Sequence, residues 1–143
     1  MQLIEEGLEL IKKFEGFSSK PYKCCAGFLT IGYGHKIRSN EKYERISEME
    51  ANQMLQKDLQ SSMYSVMNNI DFMLNNYQFS ALVSFTYNVG GAALQRSTLR
   101  QKINSGELEG IQHELLRWVY VKGYKIKGLV KRRLKEVELF YKY

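Results

Sequence analysis

The segment from Phe14 to His35 constrains the fold of this chain most, because a helical pattern gives way there to a glycine-rich β pattern. Apolar residues before it recur at the spacing of one helix face, which continues to Glu15: Ile4, Leu8 and Ile11. Gly16 follows directly, and glycine commonly ends a helix. We therefore expect a first helix over residues 2–14, with Glu15 at its end.

Glu15 is the first candidate for chemistry, because it places an acid on an otherwise apolar stripe. A carboxyl group at the edge of an apolar pocket is desolvated, which favours its protonated form and suits it to general acid catalysis. The competing interpretation is a glutamate that reaches solvent from a frayed helix end, since charged residues are usually exposed. The spacing alone leaves both interpretations open.

Residues 20–37 form a predicted antiparallel ribbon with a turn around Gly27. Alternate residues of its second strand would share a face: Leu29, Ile31 and Tyr33 on one, and Thr30, Gly32 and Gly34 on the other. The second face is one hydroxyl group and nearly bare backbone, which lets a ligand or another backbone approach closely. The competing interpretation is a surface strand weakened by its glycines.

This segment, FEGFSSKPYKCCAGFLTIGYGH, resembles the signature of the phage-type muramidases (endolysins) of glycoside hydrolase family 24. The catalytic pattern of that family is Glu, eight residues, Asp or sometimes Cys, five residues, Thr, and Glu15, Cys24 and Thr30 match both spacings. The resemblance extends more weakly across nearly the whole chain. It implies that Glu15 is the general acid, that Thr30 orients the attacking water, and that Cys24 occupies the second catalytic position.

Cys24 departs from the commoner pattern, which has Asp at this position. A thiol is mostly neutral at pH 7 unless a nearby charge lowers its pKa, and Lys20 and Lys23 are near in sequence. Cys24 could be a thiolate nucleophile or base, a passive small residue beside the attacking water, or a buried hydrophobic residue. Glu41 and Glu44 are less favoured replacements, because they lie in the irregular stretch beyond the ribbon.

The resemblance also implies roles outside the catalytic pattern. His35 and Asp58 align with a structural ion pair that joins the ribbon to the central helix. Sugar contacts are expected from four residues: Tyr22, Tyr33, Asn88 and Arg132. An Asn amide can donate to and accept from an N-acetyl group, whereas a tyrosine could equally pack in the core with a tethered hydroxyl group.

The rest of the chain predicts mostly helices. Ser47 and Glu50 form a capping-box pattern at the start of a long helix. A later helix is apolar on nearly all sides and should be buried. Ser97 can cap a short helix that stops near Gly106. After the first helix, the predicted helices cover about 48–67, 77–89, 97–106, 111–123 and 128 onward, and the loops cover 38–46 and 68–76.

These elements place the chain in the α+β class with a small sheet. The resemblance implies a lysozyme-like fold, in which a small antiparallel β-ribbon lobe, about 15–46, is joined by a long central helix to a mostly helical lobe. The helical lobe would comprise about 68–143 and the N-terminal helix, so that residues 1–143 form a single catalytic domain. A length of 143 residues also predicts one domain.

The charge distribution indicates an anionic partner. The net charge is +6, and the stretch from Arg117 to Lys135 holds eight Lys or Arg residues and no acid. A nucleic acid or a cell wall with acidic peptides would suit such a face, and so would plain solvation. No recognised nucleic-acid motif is present, so nucleic acid is not the expected partner. The resemblance to the phage-type muramidases implies bacterial peptidoglycan instead.

Other features exclude further classes. No apolar run reaches the ~18 residues of a membrane-spanning helix, and the acidic start MQLIEEGLEL does not match a secretory signal. We therefore expect the chain to fold in the cytoplasm. Its resemblance to phage endolysins implies a host cytoplasm, holin-dependent release to the wall, and a monomer. Cys24, Cys25 and two scattered histidines lack the spacing of a disulfide framework or a zinc site. No metal or cofactor is expected.

The resemblance implies hydrolysis of the β-1,4 bond between N-acetylmuramic acid and N-acetylglucosamine, which would lyse the host cell wall. A second hypothesis is a non-catalytic peptidoglycan-binding module that has lost activity through Cys24. Activity on chitin oligomers as well as on peptidoglycan is also compatible with this sequence.

Overall fold

The computed structural model of the protein describes residues 1–24 and 26–143, so the prediction for Cys25 lies outside the described residues. The helices are α1 (Glu5–Glu15), α2 (Glu48–Asn69), α3 (Asn76–Val89), α4 (Gly91–Arg96), α5 (Thr98–Asn104), α6 (Ile111–Leu115) and α7 (Lys127–Phe140). The strands are β1 (Ser18–Lys23), β2 (Leu29–Gly32), β3 (His35–Lys36), β4 (Tyr120–Val121) and β5 (Tyr124–Lys125).

The strands form two antiparallel groups within the described residues. Strands β1, β2 and β3 make a three-stranded sheet in that order, and β4 pairs with β5 in a separate hairpin. The predicted α+β class with a small antiparallel sheet is confirmed. None of the helices in the described part of the chain has the length and apolarity needed to cross a membrane.

Helix α1 carries Glu15 as its last residue, as the sequence pattern predicts, although it begins at Glu5 rather than at residue 2. Gly16 follows with a φ of 69°, a left-handed conformation that glycine adopts without steric cost. The helix packs against α3 and α7. An added Cβ at Gly7 would lie 2.7 Å from the Ser80 Cβ, so the close approach of α1 to α3 depends on this glycine.

Strand β2 differs from the predicted alternation of faces. Ile31 is fully buried as expected, but Leu29 is 47% exposed and Thr30 only 3% exposed. The strand ends at Gly32, whose φ of 68° is not a strand conformation, so the period of two stops there. An added Cβ at Gly32 would lie 3.3 Å from the Ala51 Cβ, so the glycine lets α2 pack closely on the sheet.

Helix α2 connects the sheet to the other helices. The predicted capping box is confirmed, because the Ser47 hydroxyl accepts from the Glu50 N–H and the Glu50 carboxylate accepts from the Ser47 N–H. One stripe of the helix is buried: Ala51, Leu55, Leu59, Ser62 and Val66. The helix packs against β2 and β3 and also against α3 and α4. Its 22 residues span about 33 Å, which is long enough to join these two groups of elements.

Helix α3 lies at the centre of the helical elements. Every residue from Phe79 to Thr86 is buried, which confirms the prediction of a helix that is apolar on nearly all sides. It packs against α1, α2, α4 and α7. Gly90 ends it, and α4 begins at the next residue, a short helix that was not predicted. The Ser97 cap of α5 is confirmed, since its hydroxyl accepts from the Arg100 N–H.

The helix predicted over residues 111–123 is confirmed for its first five residues and wrong beyond them. Helix α6 ends at Leu115, and the chain then forms the β4–β5 hairpin around Lys122 and Gly123. Both turn residues have positive φ, 51° and 83°, as a type I′ hairpin turn requires. The tyrosines and valine of these strands also favour strand over helix. Helix α7 begins at Lys127, just before the predicted start.

Candidate active site

A cleft of about 640 Å³ lies between the sheet, the end of α1, the end of α3 and the start of α7. Most of the predicted catalytic and substrate-binding residues line it: Glu15, Tyr22, Cys24, Thr30, Asn88 and Arg132. The β4–β5 hairpin closes another side with Tyr120 and Val121, next to Trp118. The cleft therefore combines acid, thiol, hydroxyl, amide and aromatic groups in one cavity.

Glu15 meets a cation in this cleft. Its side chain is 17% exposed, and Arg132 Nη1 donates to its Oε2 at 2.6 Å. The backbone of Gly34 lies against the same carboxylate, and an added Cβ there would be 2.9 Å from the carboxyl carbon. Glu15 is thus neither in a purely apolar pocket nor at a solvated helix end, the two environments that the sequence left open. Arg132 is 117 residues away in the chain, so the local pattern did not reveal the pair.

Cys24 is partly buried and lines the cleft, directly after β1. Burial opposes ionisation of its thiol, but hydrogen bonds at the Phe28 and Ala26 backbone, the Thr30 hydroxyl group and the charge of Lys36 outweigh it, so the pKa of Cys24 is lowered. The cation is Lys36 of β3, not Lys20 or Lys23. The reason is that antiparallel pairing of β3 with β2 brings Lys36 opposite Thr30.

Thr30 places its hydroxyl group at the wall of the cleft. Its Oγ1 donates to the Phe28 carbonyl oxygen at 2.9 Å, and the residue is 3% exposed. A hydroxyl group has one hydrogen and two lone pairs. Because this hydrogen goes either to the Phe28 carbonyl oxygen or to the Cys24 sulfur, the Thr30 oxygen can act toward a water in the cleft only as an acceptor.

Arg132 and its neighbour form a buried ion cluster with Glu136. Arg132 Nε lies 3.4 Å from Glu136 Oε2, and Arg132 Nη2 donates to the Ser84 carbonyl oxygen at 3.1 Å. Arg133 Nη1 donates to Glu136 Oε1 at 2.8 Å. One N–H on each nitrogen of the Arg132 guanidinium group is therefore used within the protein. Arg132 also lines the cleft, so its predicted sugar contact stays a prediction. The RRLKE spacing, which puts Glu136 three and four residues after the arginines, was the signal that could have revealed the cluster.

Asn88 lies at the end of α3 with its amide at the cleft. Its Oδ1 accepts a hydrogen bond from Arg133 Nη2. Burial lowers the pKa of Arg133, and the nearby Glu136 carboxylate opposes that shift. With the Asn88 oxygen occupied, its NH₂ group is the part that can donate to a ligand, which suits the predicted contact with an N-acetyl group.

The two predicted tyrosines lie in different places. Tyr22 lines the cleft. Tyr33 does not: it is 7% exposed, and its hydroxyl group donates to Glu48 Oε1 at 2.9 Å. The sugar contact predicted for Tyr33 is therefore replaced by the alternative of core packing with a tethered hydroxyl group. Tyr87 lines the cleft beside Glu15 and donates to the Tyr33 carbonyl oxygen at 2.9 Å.

His35 contacts two acids outside the cleft. Its Nδ1 lies 2.8 Å from Asp58 Oδ2, the predicted pair, and its Nε2 lies 3.1 Å from Glu41 Oε1. Burial opposes the charged imidazolium, but the hydrogen bonds to Asp58 and Glu41 outweigh it and raise the pKa of His35. The Arg38 N–H, followed by Tyr43 and His35, lowers the pKa of Glu41 to about 2. Glu41 is thus committed to this cluster and does not replace Cys24.

The sequence of this chain is similar to those of known phage lysozymes and endolysins. The profile of the phage lysozyme family matches residues 12–136. The endolysin of Bacillus phage B103 is 40% identical over 142 residues, 98% of this chain and 54% of that protein. The endolysin of Acyrthosiphon pisum secondary endosymbiont phage 1 is 35% identical, with 98% of both chains covered. The chain therefore spans about half the length of the first relative and nearly all of the second.

A solved structure shows the same architecture. The muramidase domain of SpmX from Asticaccaulis excentricus is similar with a TM-score of 0.89 and 31% identity over 99% of both chains. This similarity confirms the predicted lysozyme-like fold.

Proposed function

The chain belongs to the phage lysozyme family, and we propose that it is an endolysin that hydrolyses the β-1,4 bond between N-acetylmuramic acid and N-acetylglucosamine in bacterial peptidoglycan. The observation that carries this proposal is the meeting of Glu15, Cys24 and Thr30 in one cleft. Glycosidic cleavage needs an acid on one side of the bond and a group that supports attack on the other.

In the proposed reaction, Glu15 gives its proton to the glycosidic oxygen as the bond from that oxygen to the anomeric carbon breaks. A water molecule attacks the anomeric carbon, and its oxygen becomes the new hydroxyl group of the reducing end. Thr30 accepts a hydrogen bond from this water, because its own hydrogen is directed to the Phe28 carbonyl oxygen or to the Cys24 sulfur. The contact between Arg132 and Glu15 keeps the acid in a fixed orientation.

We assign the second catalytic position to Cys24 acting as a thiolate base. Its lowered pKa supports this choice, because the thiolate is the form that can accept the proton of the attacking water. The proton passes from the water to Sγ. After the products leave, Sγ releases this proton to solvent and Glu15 takes one up from solvent. A base that activates water, rather than a nucleophile that binds the sugar, inverts the configuration at the anomeric carbon.

The surface around the cleft supports an acidic polymer as the substrate. The β4–β5 hairpin and the residues beside it carry exposed cations and two exposed tyrosines: Arg117, Tyr120, Lys122, Tyr124, Lys125 and Lys127. Peptide carboxylates of peptidoglycan would meet this rim, while Tyr22 and the Asn88 NH₂ group would contact the sugars. By analogy with the endolysins it resembles, we also propose a monomer with one catalytic domain and holin-dependent release from the host cytoplasm.

The test is the release of reducing ends from purified peptidoglycan by the wild type and by Glu15→Gln. The amide keeps the size of the side chain and an acceptor for Arg132 but has no acidic proton. Glu9→Gln makes the same chemical change at an exposed position of the same helix. We expect the wild type and Glu9→Gln to be active and a folded Glu15→Gln to be inactive. A fully active Glu15→Gln would reject Glu15 as the acid, and a wild type that only sediments with walls would be a binding module.

A further inference from the structure

We propose that Glu136 is a positioning residue that holds Arg132 against Glu15 and offsets the positive charge that Arg132 and Arg133 place beside this acid. The inference deepens the proposed function, because it assumes that Glu15 is the acid. Glu136 is fully buried and does not line the cleft, so it acts through the groups it contacts.

Both carboxylate oxygens of Glu136 are used in the cluster. Oε2 accepts from Ser84 Oγ at 2.6 Å and lies 3.4 Å from Arg132 Nε, and Oε1 accepts from Arg133 Nη1 at 2.8 Å. Arg132 then reaches Glu15 with Nη1 at 2.6 Å. Arg132 is 3% exposed and Arg133 is fully buried, so solvent does little to screen these charges. Glu136 therefore fixes the guanidinium group that touches the acid.

The groups packed against Glu15 carry one net positive charge. The two arginines contribute two cations, and Glu136 neutralises one of them. Without the Glu136 charge, two cations would face a single carboxylate. Nearby positive charge favours the ionised form of an acid. The loss of Glu136 should therefore make Glu15 release its proton at a lower pH, which reduces the fraction able to protonate the leaving oxygen.

A second branch of the same cluster leads to Asn88. Arg133 donates to Asn88 Oδ1 from Nη2 and to the Trp118 carbonyl oxygen at 2.9 Å from Nε. Glu136 thus orients, through Arg133, the amide proposed to contact the substrate. The two branches predict two effects of one substitution: a change in the titration of Glu15 and weaker substrate binding.

Other titratable and charged groups also face the cleft that holds Glu15. The sheet and its turn contribute Tyr22, Lys23, Cys24 and Lys36, and α3 contributes Tyr87. The hairpin region contributes Arg117 and Tyr120, and α7 contributes Arg132 and Arg133. This set contains no carboxylate, and its proposed anion is the Cys24 thiolate. Glu136 is the carboxylate that contacts both arginines.

The experiment follows the carboxyl carbon of Glu15 by NMR during a pH titration, with the signal assigned by its loss in Glu15→Gln. Glu136→Gln keeps the shape of the side chain and removes the charge. Glu138→Gln makes the same change on the exposed side of α7, where the Glu138 carboxylate lies 3.3 Å from Lys135 Nζ. We expect the Glu15 midpoint to fall by about one pH unit in Glu136→Gln and to stay unchanged in Glu138→Gln. An unchanged midpoint in a folded Glu136→Gln overturns the proposal.

Removal of a buried charge can prevent folding, so a second pair of variants tests the proposal if Glu136→Gln does not fold. Arg133→Met leaves Glu136 with one arginine fewer, so the Glu15 midpoint should rise. Arg133→Met/Glu136→Gln removes both charges together and should return the midpoint toward the wild-type value. Equal midpoints in these two variants would overturn the proposal.

Activity assays separate this inference from the proposed function. Glu136→Gln should show a higher KM as well as a lower kcat, since both branches are disturbed. If the wild type releases no reducing ends, the proposed function fails, while the titration still decides whether Glu136 controls the protonation of Glu15.

Discussion

Gly34, in the glycine-rich segment after β2, touches the proposed general acid. We expect Gly34→Ala to lose far more activity than a glycine substitution of similar cost to stability elsewhere in the chain. The φ of Gly34 is 83°, so any other residue there is strained by about 1–2 kcal/mol. A Cβ at this position would also lie 2.9 Å from the Glu15 carboxyl carbon and would overlap its Oε1. The substitution therefore adds backbone strain and displaces the acid.

The size of the displacement follows from the contact distance. Two carbon atoms pack at about 3.5–4.0 Å, so the Glu15 carboxyl group must retreat by roughly 0.6–1 Å from the 2.9 Å position. A misplacement of about 1 Å can lower a catalysed rate about 100-fold. We therefore expect Gly34→Ala to lose roughly 100-fold in reducing-end release.

Gly106→Ala is the matched control. Gly106 has a φ of 78°, and an added Cβ would lie 3.9 Å from the Phe72 ring, an ordinary contact far from the cleft lining. Both variants should lose a similar free energy of unfolding from backbone strain, measured by urea denaturation, but only Gly34→Ala should lose activity. Full activity in a folded Gly34→Ala, or equal rate losses in the two variants, would refute the positioning of Glu15 by Gly34.

Three further predictions concern the thiol and the histidine cluster. Cys24→Asp should remain active and Cys24→Ser should lose about 100-fold or more, because serine cannot supply an ionised base; reducing-end assays test both, and an inactive, folded Cys24→Asp would point to thiol-specific chemistry. The raised pKa of His35 means that its pairing with Asp58 stabilises the fold fully below about pH 6.5 and less as the pH rises through the folded-state pKa. Asp58→Asn should therefore cost about 1.5–3 kcal/mol near pH 5.5 and less near pH 9 in urea denaturation, and equal losses at both would contradict the charged pair. The pKa of Glu41, lowered from 4.5 to about 2, means that its contribution is present above pH 4.5 and is lost as the pH falls toward 2. Thermal unfolding between these values should show a smaller acid-induced loss in Glu41→Gln than in the wild type.

The parts of the fold that the sequence predicted are those that depend on near neighbours. The end of α1 at Glu15 follows from an apolar stripe and the next glycine, and the start of α2 follows from the Ser47–Glu50 box. The spacing of Cys24 and Thr30 is also local, because both lie in or beside one antiparallel pair. Hydrophobic periodicity and helix capping involve residues that lie within a few positions of one another. They can therefore be recognised in the sequence without knowing the fold.

Local reasoning failed where a turn or a packing contact outweighed the pattern. Apolar spacing predicted a helix over residues 111–123, but the positive φ values at Lys122 and Gly123 produced the hairpin that borders the cleft. Tyr33 was expected to contact sugar, but its hydroxyl group donates a hydrogen bond to Glu48, which lies on α2. The same residues are compatible with a helix or a hairpin in the first case, and with a sugar contact or a buried hydroxyl group in the second. Only the three-dimensional context separates these alternatives.

The sequence by itself thus determined which residue types could perform the chemistry and that they follow one helix and one ribbon. The tertiary structure alone decided their electrostatic surroundings. Arg132 reaches Glu15 across 117 residues, and Ser84 meets Glu136 across 52. Such contacts arise when helices from distant parts of the chain pack together, and the same burial that removes them from water makes their charges act strongly on one another.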